Sequence, residues 1–138
     1  MAPPTSSLDS VAWTAWSAEA FDRARADARP ILLSIAAEWC GACRTLDRTT
    51  FASPEVAALL NERFVALRVD PDARPDIAER YGLGGWPTTV FLSPDGWVLG
   101  GGTFITAERM PSVLRQVLAA GFPVGSPPRA VSRHARRR

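Results

Sequence analysis

Short apolar runs alternate along the chain with segments whose apolar residues recur every three to four positions. The runs are typical of strands buried on both faces, and the wider spacing is typical of amphipathic helices. The clearest strand signals are Ile31–Ala37, Phe64–Val69 and Thr88–Leu92. Because the turn residues Ser93–Gly96 follow the third run, Trp97–Leu99 is predicted to return as the second arm of a hairpin.

Helices are predicted between these strands from their start and stop signals. Ser17 is a candidate N-cap for a helix that stops at Pro30, and Ser53 followed by Pro54 starts another. The other predicted helices open at Cys40, span Pro75–Tyr81, and run from about Thr106 to Ala120 with a break or fresh start at Pro111. This order predicts an α/β fold, with a central mixed β-sheet flanked by helices on both faces.

The length of 138 residues suits one domain with a substantial core. Hydrophobic residues make up 46% and charged residues 22% of the chain, which is ordinary for a globular protein. We expect a flexible N-terminus at residues 1–10, a folded domain at 11–122 and a disordered Pro/Arg-rich tail at 123–138.

The small net charge of +2 depends on the last ten residues, which carry five Arg and no acidic residue. Without them the domain is mildly acidic, so a nucleic-acid partner is not expected, and the tail is interpreted as a solubilising end. The chain shows neither a signal-peptide pattern nor the roughly 18 consecutive apolar residues of a membrane span. A cytoplasmic protein without a membrane partner is therefore predicted.

The two cysteines, Cys40 and Cys43, are the only ones in the chain and are separated by Gly41 and Ala42. A disulfide between two cysteines this close in sequence closes a very short loop and stabilises the fold little. Reactivity therefore explains the pair better than stability does. The pair follows a predicted buried strand and opens a predicted helix. Free N–H groups and the helix dipole at that end stabilise negative charge on sulfur, so Cys40 is the predicted nucleophile. Cys43, one turn further in, is predicted to resolve the mixed disulfide.

Gly85–Thr88, directly before the third strand, is a second candidate element of the site. Pro87 cannot donate in a β-ladder and can adopt a cis bond in a tight turn, which would hold the Trp86 backbone against the dithiol. An extended substrate segment could pair with that backbone. The predicted substrate-binding residues are Trp39, Gly41, Ala42, Trp86 and Pro87. The alternative is that the two tryptophans are ordinary core side chains.

Several other side chains admit two interpretations. Arg44 could favour a thiolate or lie on a solvated helix face. Asp47, one turn beyond Cys43, could relay a proton or be a surface charge, and we favour the surface charge. Arg74 and Asp76 are expected to form a structural ion pair, and three tryptophans are expected to be packing residues, namely Trp13, Trp16 and Trp97.

A metal site is the alternative interpretation of the cysteine pair. A closed zinc site needs four ligands, and the only histidine, His134, lies in the basic tail. No metal is therefore expected, and carriage of zinc or copper by the dithiol stays a third and weaker hypothesis.

The motifs resemble those of known proteins. Residues 37–43 resemble the thioredoxin active-site stretch, and Trp86–Thr88 resembles the cis-Pro loop of that superfamily. Further motifs are Trp16–Phe21, Phe51, Pro54–Ala57, Asn61–Phe64, Val69–Asp70, Arg74–Asp76, Gly85–Pro87 and Gly101–Phe104. Over roughly residues 11–120, these resemble an uncharacterised thioredoxin-like family, often found at the N-terminus of much larger proteins that include the spermatogenesis-associated thioredoxin-like proteins.

The resemblance implies a thioredoxin fold with a redox dithiol, and the chain departs from it at three places. Gly41, Ala42 and Arg44 stand where the larger relatives usually have bulkier, His-containing residues. Ala42 also replaces the Pro of thioredoxin. Ser34 occupies the strand position where thioredoxins carry a buried acid that assists proton transfer to the resolving thiol. For this proton transfer the chain must use another group or solvent, or the step must be slower.

The leading hypothesis is a thiol–disulfide oxidoreductase, in particular a protein disulfide reductase, that needs no bound cofactor. Its expected partners are a disulfide-containing protein or small-thiol substrate and an electron-donating reductase or low-molecular-weight thiol. We expect the chain to be a monomer. The alternative is a substrate-binding or chaperone-like module that keeps the dithiol as a weak redox sensor.

Overall fold

A computed structural model describes residues 10–122 of the chain. Within them the helices are α1 (Ala18–Asp27), α2 (Gly41–Thr49), α3 (Pro54–Arg63), α4 (Pro75–Tyr81) and α5 (Met110–Ala120). The strands are β1 (Ile31–Ile35), β2 (Val65–Val69), β3 (Thr88–Leu92) and β4 (Val98–Gly102). The predicted flexible N-terminus and disordered tail lie, apart from Ser10, outside the described residues.

The four strands form one mixed sheet in the order β2-β1-β3-β4. β1 runs parallel to β2 and antiparallel to β3, and β4 returns antiparallel beside β3. A single parallel bridge between Thr14 and Leu67 lies beyond the outer edge of β2. The mixed sheet with helices on both sides confirms the predicted α/β fold.

Each face of the sheet carries its own apolar core because alternate strand residues point to opposite sides. Ile31, Leu33 and Ile35 of β1 pack with side chains of α1 and α4 on one face. Leu32 packs on the other face with Leu46 of α2 and with side chains of α3 and α5. The dithiol helix is therefore anchored to the second face.

The helix starts follow the predicted local signals. Ser17 Oγ accepts the N–H of Ala20 at 3.2 Å, and Ser53 Oγ accepts the N–H of Val56 at 3.4 Å. Such caps satisfy backbone donors that have no partner inside the helix. α1 ends at Asp27, because Ala28 takes a left-handed conformation with φ of 55° before Pro30 is reached.

β1 ends at Ile35 and β2 begins at Val65, one or two residues inside their predicted runs, and two other elements differ more from their predicted bounds. β4 begins at Val98 and extends through Gly100–Gly102, three residues that carry no strand-forming side chain. A Cβ on Gly101 would lie 2.5 Å from the carbonyl oxygen of Thr89, so only glycine lets the two strands approach. α5 begins at Met110 with Pro111 in its first turn, while residues 106–109 form a separate turn.

Candidate active site

The first cysteine of the pair caps the helix that follows it. Cys40 has extended backbone angles and is the N-cap of α2, and its Sγ accepts the N–H of Cys43 at 3.1 Å. A sulfur in this position faces the free N–H groups at the helix start, which stabilise negative charge. Only 8% of Cys40 is exposed, so the residue lies largely below the protein surface.

The second cysteine lies deeper, with 2% of the residue exposed. Burial raises the pKa of the Cys43 thiol from 9.0 to about 11. The hydrogen bond with Cys40 and the negative charges of Cys40 and Asp47 raise it further, while a backbone hydrogen bond at Ala37 lowers it. Cys43 is therefore a protonated thiol at neutral pH, and both cysteines are free.

The loop before β3 lies against the dithiol, as the sequence predicted. Trp86 is half-buried and packs against the cluster formed by Ala37, Cys40 and Cys43. The Trp86–Pro87 peptide bond is cis. Thr88 Oγ1 donates to the carbonyl oxygen of Gly85 at 2.7 Å, which ties this turn together.

The predicted substrate-binding residues lie on both sides of Cys40. Trp39 is 60% exposed, and Gly41 and Ala42 are also exposed at the start of α2. Trp39 Nε1 donates to Asp72 Oδ2 at 2.8 Å. This bond fixes one edge of the exposed indole next to Cys40. Pro87, by contrast, is buried. No local pattern in the sequence indicates this contact of Asp72.

Polar side chains near the pair occupy definite positions. Arg44 is exposed and donates from a guanidinium nitrogen to the carbonyl oxygen of Glu38. Arg74 and Asp76 form the expected ion pair at 3.0 Å. Asp47 pairs with Arg68 through contacts of 2.8 and 3.3 Å, and the Arg68 guanidinium lies 4.1 Å from the centre of the Trp13 ring.

Arg68 was not singled out from the sequence, although a signal was present. It is the one charged residue in the apolar run Phe64–Val69. Arg68, Ala36 and Ala37 line a cavity of about 310 Å³ together with Cys43 and Asp47. The cavity connects the Cys43 thiol with the Asp47–Arg68 ion pair.

The metal alternative concerned the cysteine pair, and the only histidine of the chain, His134, lies outside the described residues. Among residues 10–122, no three His, Cys, Asp or Glu side chains are grouped as a metal site requires. No helix in that part of the chain is long and apolar enough to cross a membrane.

The fold agrees with comparisons to known proteins. Residues 5–120 match the family Thioredox_DsbH, described as "Protein of unknown function, DUF255". The chain belongs to this family. The DUF255 match covers most of the chain and confirms the resemblance drawn from its motifs.

Relatives of this DUF255 chain include much longer proteins. It is 37% identical over 106 residues to human spermatogenesis-associated protein 20, a match that covers 71% of the chain and 14% of that protein. It is 33% identical over 102 residues to the thiol:disulfide interchange protein DsbD 2 of Pseudomonas aeruginosa, covering 69% of the chain and 17% of that protein. The chain thus spans a small part of either relative.

Solved structures confirm the thioredoxin-like fold. A thioredoxin from Thermus thermophilus superposes with a TM-score of 0.71 at 30% identity, covering 81% of this chain and 90% of that one. The DUF255 chain therefore combines the fold of the thiol–disulfide oxidoreductases with a Cys-Gly-Ala-Cys pair in the first turn of a helix.

Proposed function

We propose that the chain is a thiol–disulfide oxidoreductase that reduces disulfides of proteins or of low-molecular-weight compounds. The observation that carries the proposal is the N-cap position of Cys40. Its Sγ accepts the N–H of Cys43 at 3.1 Å, at the helix end that stabilises a thiolate. The relation to DsbD 2 and to the thioredoxin structure supports the same class of chemistry.

The proposed reaction has two exchange steps. The Cys40 thiolate attacks one sulfur of the partner disulfide, that S–S bond breaks, and one partner thiol leaves. Cys43 then loses its proton and attacks the Cys40 sulfur. The Cys40–Cys43 disulfide forms, the second partner thiol leaves, and two electrons have passed to the partner.

The surface around Cys40 suits an extended polypeptide partner. The exposed indole of Trp39 lies next to the nucleophile in the chain, and Leu83, half exposed, lies near the Trp86 loop. Apolar contact on such a surface would place a disulfide over the recessed Cys40 sulfur. Trp39, Gly41, Ala42, Trp86 and Pro87 stay our proposed substrate-binding residues.

We further propose that the chain acts as a monomer in the cytoplasm, where reduction is the expected direction. A reductase or a low-molecular-weight thiol would then restore the dithiol. These proposals predict a reduction potential near that of thioredoxin, about −270 mV. A value near about −120 mV would instead indicate an oxidase.

The test uses insulin reduction by dithiothreitol, followed as turbidity, with the wild type and two cysteine variants. Cys40→Ser is expected to abolish catalysis. Cys43→Ser is expected to form a mixed disulfide through Cys40 that persists in mass spectra recorded without reductant. If the wild type forms no Cys40–Cys43 disulfide at any thiol/disulfide ratio, the proposed function is wrong.

The exposed Trp39 also fits the alternative of a binding module. A binding module would keep its affinity for an unfolded polypeptide after Cys40→Ser, and Trp39→Ala would weaken that affinity in both backgrounds. If Cys40→Ser loses catalysis but still binds the polypeptide, the chain is an oxidoreductase that also has a substrate-binding surface. Binding without any wild-type catalysis supports the module.

A further inference from the structure

The resolving thiol and a carboxylate share one side of the dithiol helix. Cys43 and Asp47 are four residues apart in α2, so their Cβ atoms are about 6 Å apart on neighbouring turns. Helical side chains lean toward the helix N-terminus, which directs the Asp47 side chain back over the turn that carries Cys43.

The cavity of about 310 Å³ joins the two groups. Its lining includes Cys43, Asp47 and Arg68, and its volume is ample for several water molecules. The Asp47 side chain is 42% exposed and the Arg68 side chain 28%, so the cavity is in contact with solvent. A proton leaving the thiol can therefore reach the carboxylate through water.

Three polar residues lie side by side on the face of the sheet against which α2 packs. Arg68, Ser34 and Thr89 are paired in register across β2, β1 and β3. They share the face of Leu32, on which α2 packs, because each lies two residues from a member of that core. Ser34 Oγ, Thr89 Oγ1 and Arg68 Nε are buried without a hydrogen-bond partner among the described residues.

We propose that Asp47, oriented by Arg68, accepts the proton that Cys43 loses as it attacks the mixed disulfide. This proposal rests on the proposed function and names the proton acceptor of its second step. The proton passes from Cys43 Sγ through water in the cavity to an Asp47 carboxylate oxygen. The sulfur electron pair forms the bond to Cys40 Sγ, and the partner sulfur leaves with the electrons of the broken S–S bond. Asp47 then returns the proton to that sulfur or to solvent.

The charged groups around the cavity are consistent with this assignment. Arg68 binds Asp47 from β2 at 2.8 Å, and Arg44 of α2 is hydrogen-bonded to the Glu38 carbonyl. Glu38 lines the outer part of the cavity. Cys43 needs an acceptor because its pKa near 11 leaves only about one thiol in ten thousand ionised at pH 7.

The effect of removing the Asp47 charge distinguishes a proton acceptor from a surface charge with no role in the reaction. The negative charge of Asp47 raises the pKa of Cys43, so a surface charge with no other role should slow ionisation. Asp47→Asn would then leave the attack by Cys43 unchanged or make it faster. If Asp47 is the proton acceptor, Asp47→Asn should instead slow the attack by Cys43 about tenfold or more.

The experiment follows reduced full-length protein reacting with 5,5′-dithiobis(2-nitrobenzoate) by stopped flow. The first chromophore released reports the attack by Cys40, and the second reports resolution by Cys43. At about pH 7.5, Asp47→Asn is expected to leave the first phase unchanged and to slow the second about tenfold or more. Asp47→Glu, which keeps a carboxylate, is expected to restore most of the rate.

The pH profile provides a readout that a structural defect would not change. Without an internal acceptor, the second phase in Asp47→Asn should rise about tenfold per pH unit between about pH 7 and 9, because it follows the thiolate. The wild-type profile should be shallower. Asp22→Asn is the matched control, since it breaks another Asp–Arg pair, at 2.9 Å, in α1 on the other face.

The outcomes separate the two proposals. A second phase in Asp47→Asn that is unchanged, faster, or slowed by less than about tenfold overturns the role of Asp47 while the proposed function stands. Equal slowing by Asp47→Glu or by Asp22→Asn overturns it as well. If the wild type shows no second phase at all, the proposed function fails and the role of Asp47 fails with it.

Discussion

Raising the pH of the reduced protein is expected to destabilise it in part through the buried thiol of Cys43. Cys43 has a pKa of about 11 in the folded chain against 9.0 for an unperturbed thiol, mainly because burial disfavours the thiolate. The stability associated with the neutral thiol is therefore fully present below about pH 9. It is lost as the pH rises through 11, since the unfolded chain ionises first.

The expected magnitude follows from the two pKa values. Each tenfold change in a protonation equilibrium is worth about 1.4 kcal/mol, so the raised pKa corresponds to about 3 kcal/mol of unfolding free energy. That amount is a large fraction of the roughly 5–15 kcal/mol that stabilises a typical domain.

The assay is urea unfolding of wild type and Cys43→Ala, both with excess phosphine reductant, at several values between about pH 8 and 11.5. The difference in unfolding free energy between the two proteins should shrink by about 3 kcal/mol over that range. Tyr81, whose pKa is raised to about 12 mainly by burial, changes stability in the same direction but is present in both proteins and cancels. A difference that stays constant across the range refutes the reasoning.

Three further predictions concern stability at neutral pH, each measured by urea unfolding. Tyr81→Phe should be neutral or stabilising by up to about 1 kcal/mol, because the buried hydroxyl has no hydrogen-bond partner among the described residues; a clear loss would contradict this. Ser53→Ala should cost about 1 kcal/mol through the lost cap of α3, and Ser53→Asn should cost little. Gly101→Ala should cost about 1–3 kcal/mol, because its Cβ would meet the Thr89 carbonyl at 2.5 Å. Gly41→Ala, with no neighbour nearer than 4.0 Å, is the control, and equal losses would be inconsistent with the clash.

The fold could be predicted largely because its signals are local. Ser17 and Ser53 cap the helices that they were expected to cap, and Pro75–Tyr81 and Thr88–Leu92 have their predicted bounds. The position of the dithiol could also be predicted locally, because a Cys-x-x-Cys between a buried strand and a helix lies in the first turn of that helix. What each site residue does in catalysis stays a prediction.

The remaining features depend on register and packing, which one chain's pattern does not determine. Gly100–Gly102 form part of β4, although a glycine run gives no strand signal, and at Gly101 the missing Cβ allows close approach to the Thr89 carbonyl of β3. Trp39 is tied to Asp72, 33 residues away, and no local spacing indicates that bond. Arg68 faces Ser34 only because β1 and β2 pair in one particular register.

The position of the acid has an energetic rationale that links the fold to the proposed chemistry. A carboxylate at position 34 would be fully buried, as Ser34 is, and desolvating a charge in such a place costs several kcal/mol unless it is well paired. Asp47 remains 42% exposed and paired with Arg68, so the chain avoids most of that cost. In the proposed route the proton passes through water, and the cavity beside Cys43 provides room for it. If this reasoning is correct, filling the cavity with Ala36→Leu should slow resolution by Cys43 while the attack by Cys40 continues at its wild-type rate. Equal rates of resolution in Ala36→Leu and wild type would show that the water-filled path is not used.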